Sequence, residues 1–292
     1  MKTTRYNLDT CAMLVEFNAS VWTARKLDKG TTDEVISNKS AKAKDAARVN
    51  KNLLAGRPEL DVINQLVGRI RTFVYDSTLP WSDSGLRLLP TANFQSFTAR
   101  MATYEDEFHT MVNDFVQVYP SLITAQAMAL GDMFKRDEYP SAKAIADKFS
   151  FRVAYMPVPT AGDFRVDVGN DAQDELRKQL ERVQQERVEA AMADVRARLG
   201  EHLKRMSDRL AVDVVQGEVK TRRFHDSLVS GALELCEMVK TLNVVNDQNL
   251  EDTRRSLANL LVGVEPDELR KNMEVRADIR TNVDKLLDKF SF

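Results

Sequence analysis

The stretch DAQDELRKQLERVQQERVEAAMADVRARLGEHLKRMSDRLAVDVVQ, residues 171–216, decides the fold class. Along it Val188, Met192, Val195, Leu199, Leu203, Met206, Leu210 and Val214 recur in steps of three and four. An apolar side chain on one face at every turn is the pattern of an amphipathic helix. Good helix formers fill the rest, Pro is absent, and Gly200 is the one weak position. Val188, Leu199 and Leu210 stand eleven residues apart, as do Met192, Leu203 and Val214. A period of about 3.67 residues per turn keeps such a seam nearly straight. A helix of roughly 40 residues at about 1.5 Å each is about 60 Å long, too long for one compact core.

Composition sets the outer bounds. With 292 residues, 43% hydrophobic and 29% charged, the chain reads as globular rather than disordered. Its 42 basic and 44 acidic residues nearly cancel, which argues against a bulk electrostatic binder of nucleic acid but leaves room for a local patch. Cys11 and Cys236 form neither a metal spacing nor a disulfide framework and read as small buried side chains. No apolar run approaches the roughly 20 residues of a membrane span. The N-terminal MKTTRYNLDTCAMLVEF lacks a signal-peptide pattern, so a cytosolic location is expected.

In chain order, Leu14, Phe17, Val21 and Trp22 share a face and predict a helix over 9–27, stopped at Gly30. Residues 39–51, KSAKAKDAARVNK, hold the densest basic tract: Lys39, Lys42, Lys44, Arg48 and Lys51. Such a tract reads first as a solvated helix face and second as a phosphate contact. Pro58 opens a helix striped by Leu60, Ile63, Val67, Ile70 and Val74. The prolines and Ser-Asp-Ser-Gly of residues 79–90 predict an ordered loop anchored by Trp81 and its leucines. Phe94, Phe97, Met101, Tyr104, Phe108, Met111, Phe115 and Val118 then form a heptad seam ending at Tyr119-Pro120. Shorter helices are expected over 122–134 and 141–149.

The period falls to two in Phe149, Phe151, Val153 and Tyr155, and again in Phe164, Val166 and Val168 beyond a Pro- and Gly-containing turn. This predicts one β-hairpin, whose edges need helices or another chain to cover them. Beyond Gly217, helical patterns run through Phe224–Leu242, Leu250–Leu261 and, after Pro266, Leu269–Leu287.

Chemistry finds little foothold. His109, His202 and His225 have no ligand spacing, and there is no phosphate loop, dinucleotide fingerprint or nucleophile elbow. No catalytic, cofactor-binding or metal-ligating residue is expected. Arg222 and Arg223, beside Phe224 and His225, suit a strand of nucleic acid held by charge and stacking, and equally an exposed helix boundary.

The runs SVWTARKLDK (20–29), TLPWSDSGLRLLP (78–90) and FSFRVAYMPVPTAGDFRV (149–166) resemble a domain-of-unknown-function family recurrent in tailed phages and prophages. The resemblance covers most of the first 210 residues and transfers no catalytic residue. It implies a phage origin and action in a host bacterial cytoplasm.

The expected fold is mainly α, an elongated helical bundle or coiled-coil-like protein with one small β-hairpin insertion. Its parts are an N-terminal helical region (1–148), the hairpin (149–170) and a long helix with a C-terminal helical region (171–292). The expected function is non-enzymatic: protein–protein interaction as a homo-oligomer through Val188, Met192, Val195 and Leu199, or as a binder of a host or phage protein. The alternative is a nucleic-acid-associated protein of phage replication or recombination, using Lys39, Lys42, Lys44, Arg48, Lys51, Arg222 and Arg223.

Overall fold

The computed structural model describes residues 8–159, 170–215 and 218–290, and it is mainly helical. In chain order the first half holds α1 (Leu8–Cys11), β1 (Ala12–Ser20), β2 (Arg25–Leu27), α2 (Lys29–Asn38), β3 (Asn50–Asn52), α3 (Glu59–Ser77), β4 (Leu79–Pro80), β5 (Arg87–Pro90), α4 (Phe94–Ala129) and α5 (Ala142–Ala146). Then come β6 (Ser150–Pro157), α6 (Asn170–Leu210), β7 (Val212–Val215), β8 (Glu218–Thr221), α7 (Ser227–Leu242), α8 (Gln248–Leu261), α9 (Pro266–Lys271) and α10 (Met273–Phe290). They form two compact units: one from the described residues of Met1–Glu16, Val74–Phe97 and Ala154–Phe292, the other from Phe17–Phe73 and Thr98–Val153.

The first unit is built on α6. Val188, Met192, Val195, Leu199, Leu203, Met206 and Leu210 are all buried, against apolar residues of α7, α8, α9 and α10 and of β4 and β5. Each such side chain contributes roughly 2 kcal/mol relative to an exposed one. The C-terminal helices therefore cover the seam from within the same chain. The expectation that Val188, Met192, Val195 and Leu199 form an oligomer contact is corrected here, because side chains at 0–4% exposure have no surface left to offer a second subunit.

Helix α6 stops at Leu210, short of the expected 216, and Val212–Val215 pair antiparallel with Glu218–Thr221 instead. Val212, Val214 and Val215 suit a strand better than a helix terminus, because β-branched side chains lose rotamer freedom in a helix. Arg196 ties α6 to the start of α8, reaching Asp247 at 3.2 Å, while Asp247 accepts from the Asn249 and Leu250 amides as N-cap. The loop 79–90 is the hairpin β4–β5, turned at Gly85 (φ 95°), a conformation that glycine adopts without steric cost. Trp81 in it is 3% exposed, with the Arg187 guanidinium 5.5 Å from its ring centre.

Residues 12–20 correct the expected helix over 9–27. They are strand β1, pairing with β5 in the register Leu14↔Leu88, inside a four-stranded order β4-β5-β1-β6. The spacing of Leu14, Phe17 and Val21 mimicked a helical face, but the strand is chosen by hydrogen bonds to residues far along the chain. The single β-hairpin is thus too narrow a reading. Its first arm is β6, which neighbours β1, and its second arm, 163–168, lies outside the described residues.

In the second unit, Leu60, Ile63, Val67 and Ile70 of α3 are buried as their stripe requires. From α4, Met101, Tyr104, Phe108 and Phe115 are buried too. Phe73 meets Tyr104 edge-on at 5.7 Å, and Trp22 packs edge-on against Tyr119 at 5.7 Å. Helix α4 runs through Pro120 to Ala129, not ending where expected. Proline costs a helix one N–H donor and crowds the preceding turn, and here the flanking apolar packing of Tyr119, Leu122 and Ile123 carries the helix past it.

Candidate anion-binding site

The residues expected to contact nucleic acid do not share one fate. Lys39, Lys42, Lys44 and Arg48 are exposed, on the irregular segment after α2 rather than on a helix face. Lys51 is buried in β3, its side chain 1% exposed. Its ammonium lies 3.5 Å from Asp28 and 2.5 Å from Glu138 and donates to the carbonyl of Met133 at 3.0 Å. Lys51 is therefore a structural ion-pair centre, and its place among the candidate phosphate contacts is corrected. Arg222 and Arg223 follow β8, and their segment builds the most chemically distinctive cavity of the first unit.

That cavity, about 520 Å³, lies between the last turns of α6 and residues 223–228. His202, Arg205 and Arg209 stand on α6 at steps of three and four, beside the buried seam of Leu203, Met206 and Leu210. Arg223, Phe224 and His225 come from the extended segment, and Ser227 and Leu228 open α7. The volume falls in the range of small-ligand sites.

The opposite wall is fixed by two arginines from α9 and α10. Arg276 donates to the carbonyl of Arg222 at 2.8 Å, and its guanidinium lies 5.4 Å from the centre of the Phe224 ring. Arg270 lies 5.1 Å from the same ring and donates to the Phe224 carbonyl at 3.3 Å. It also pairs with Asp226 and with Asp267. The aromatic ring is thus engaged by protein cations, and the base-stacking role read from the sequence does not suit it.

The chain matches no family model, no curated protein and no solved structure.

Electrostatics distinguish the cavity. Among the described residues its lining holds three guanidiniums and two imidazoles and no carboxylate. Among the described residues, Arg205, Arg209 and Arg223 make no ion pair and no side-chain hydrogen bond, unlike Arg196, Arg254 and Arg270 of the same unit. An adjoining depression shares Arg205 and Arg209 but adds Glu201, Lys204, Asp208 and Arg222. Arg222 donates there to the Asp208 carbonyl at 3.2 Å. The N-terminal end of the 16-residue α7 adds the positive end of its dipole.

His202 is half-buried, and its Nε2 is enclosed without a hydrogen-bond partner. Burial lowers its pKa, a hydrogen bond with the Leu228 backbone opposes that, and the Arg205 charge adds to the lowering. A Cβ placed on Gly231 of α7 would lie 3.8 Å from its Cε1, so the ring fills space that the glycine leaves open.

Fixed cations without counter-charge can hold and orient an anion. The described residues contain no group of three His, Cys, Asp or Glu side chains placed to hold a metal ion, and no helix is long and apolar enough to cross a membrane. Sequence reasoning reached Arg222, Arg223 and His225 but missed His202, Arg205 and Arg209. Their spacing was legible, yet a charged stripe in a chain with 29% charged residues reads as a solvated face.

Proposed function

We propose that this chain is a non-enzymatic, nucleic-acid-associated protein that holds a strand by its phosphates. The observation carrying this reading is the cavity lined by Arg205, Arg209 and Arg223, none of which makes an ion pair or a side-chain hydrogen bond among the described residues. Basic and acidic residues nearly balance over the chain, so a cluster of unpaired arginines in one concavity is a local concentration and not a reflection of bulk charge. Guanidiniums present forked donors that match phosphate oxygens, and phosphate contacts supply most sequence-independent affinity. The exposed Lys39, Lys42, Lys44 and Arg48 of the second unit give a further basic surface of the same chemistry. A phage origin and action in a bacterial cytoplasm, implied by the sequence resemblance, belong to this proposal. Burial of Val188, Met192, Val195 and Leu199 within the chain takes from the protein-interaction reading its oligomer contact.

The test is fluorescence anisotropy with single- and double-stranded oligonucleotides across a salt series. Three phosphate contacts predict a slope of about −2 in log affinity against log salt for single strands. Arg205→Ala, Arg209→Ala and Arg223→Ala should each weaken binding and reduce that slope. No binding at the lowest salt would overturn the proposal.

A further inference from the structure

We infer that the cavity prefers the phosphate monoester at the end of a strand to a phosphodiester within it. The inference rests on the nucleic-acid reading and adds to it. The first support is charge. A phosphodiester carries one negative charge, whereas a terminal monoester carries close to two near neutral pH and presents three acceptor oxygens. Arg205, Arg209 and Arg223 supply three guanidiniums, and among the described residues the lining holds no carboxylate. That excess matches a dianion better than a monoanion.

The second support is the absence of a base platform. Phe224, the aromatic residue of the lining, is engaged by Arg270 and Arg276. The cavity is therefore equipped for an anionic group and poorly equipped to stack the nucleotide next to it.

The experiment compares one oligonucleotide sequence bearing a 5′-hydroxyl, a 5′-phosphate or a 3′-phosphate, each with the fluorophore on the opposite end, at fixed moderate salt. A phosphate at one end should tighten binding about tenfold or more, and the comparison of the two phosphorylated strands assigns the end. Arg205→Ala and Arg209→Ala should each abolish the gain from the phosphate, a larger loss than either variant causes with the hydroxyl strand. Both side chains are exposed and unpaired, so these variants should fold, and unchanged melting curves would confirm it. Arg223→Ala, on a separate element, provides the independent check. Equal binding of all three strands would overturn the inference and leave the nucleic-acid reading standing. Failure of every strand to bind would overturn both.

Discussion

Arg276 donates from Nε to the main-chain oxygen of Leu210 at 2.9 Å, and with this contact a guanidinium from α10 ends α6. The same group reaches the carbonyls of Arg209 at 2.7 Å and Arg222 at 2.8 Å, with longer bonds to Leu269 and Ala211. Arg276 is 1% exposed, and among the described residues it has no carboxylate partner. Its counter-charge is the negative end of the α6 dipole and the orphan carbonyls of the last turn. Arg276→Met should cost about 3 kcal/mol or more, since several buried carbonyls lose a charged donor at once. Arg276→Lys should recover little of it, because an ammonium cannot fork across them. The urea midpoint measures both, and a Lys variant as stable as the parent would contradict the assignment.

Lys51 and Lys42 should part company. Lys51→Ala leaves Glu138 and Asp28 without their shared cation in a buried setting and should cost about 3–5 kcal/mol, as removal of one member of a buried ion pair does. Lys42→Ala, at an exposed site, should stay within about 0.5 kcal/mol. Thermal melts of the two variants decide, and a Lys51 variant that melts like the parent would return this residue to the surface.

Leu199→Asp is expected to unfold the first unit. The side chain is fully buried on the seam of α6, and a carboxylate there has neither water nor a partner. A loss above about 4 kcal/mol should appear as reduced helicity at room temperature. A folded variant with unchanged helicity and a lower mass would instead revive the oligomer seam.

Binding of a strand should tighten as pH falls from 8 towards 7, a window in which a terminal phosphate keeps most of its second charge. Burial holds the His202 pKa below its usual value, so the free cavity carries it neutral at pH 7–8. An anion beside the ring favours the charged form and raises that pKa, so binding takes up a proton and affinity grows as protons become available. The Arg205 charge acts against this protonation in the free cavity. His202→Gln should flatten the profile, whereas His225→Gln should leave the larger part of it. A profile unchanged by His202→Gln would remove this residue from the site.

Acid should weaken the first unit through Glu251. Hydrogen bonds from Arg254, with Arg255 beside it, hold its carboxyl down at about 2, against an ordinary 4.5. A carboxylate depressed by folding adds stability above its unfolded pKa and loses it as pH falls through the folded one. The loss should therefore appear between about pH 4.5 and 2, and Glu251→Gln should be less stable at pH 7 but flatter over that window. Melting temperatures measured across that range check both.

The long helices were legible because their information is local. Pro58 with the stripe of α3, the three–four alternation of α4 and the seam of α6 each bind residues only three or four apart, and burial follows the same spacing. Strand β1 was not, since its helical-looking spacing competes with a ladder to Arg87–Pro90, more than seventy residues away in the chain. The same holds for β7 and β8, where a seam continuing through Val214 concealed a shift in period.

The sequence by itself determined a mainly helical chain, the buried face of each long helix, and a charge balance that leaves only local patches. It also placed Arg222 and Arg223 among the candidates. What covers the α6 seam was decided by tertiary structure, because an apolar stripe specifies that it must be buried and not by which chain. Tertiary structure also separated Lys51 from its exposed neighbours, since Asp28 and Glu138 approach it from distant segments. The cavity arose the same way: Arg270 and Arg276 pin residues 222–226 against the stripe of His202, Arg205 and Arg209, and only that juxtaposition brings three arginines into one lining.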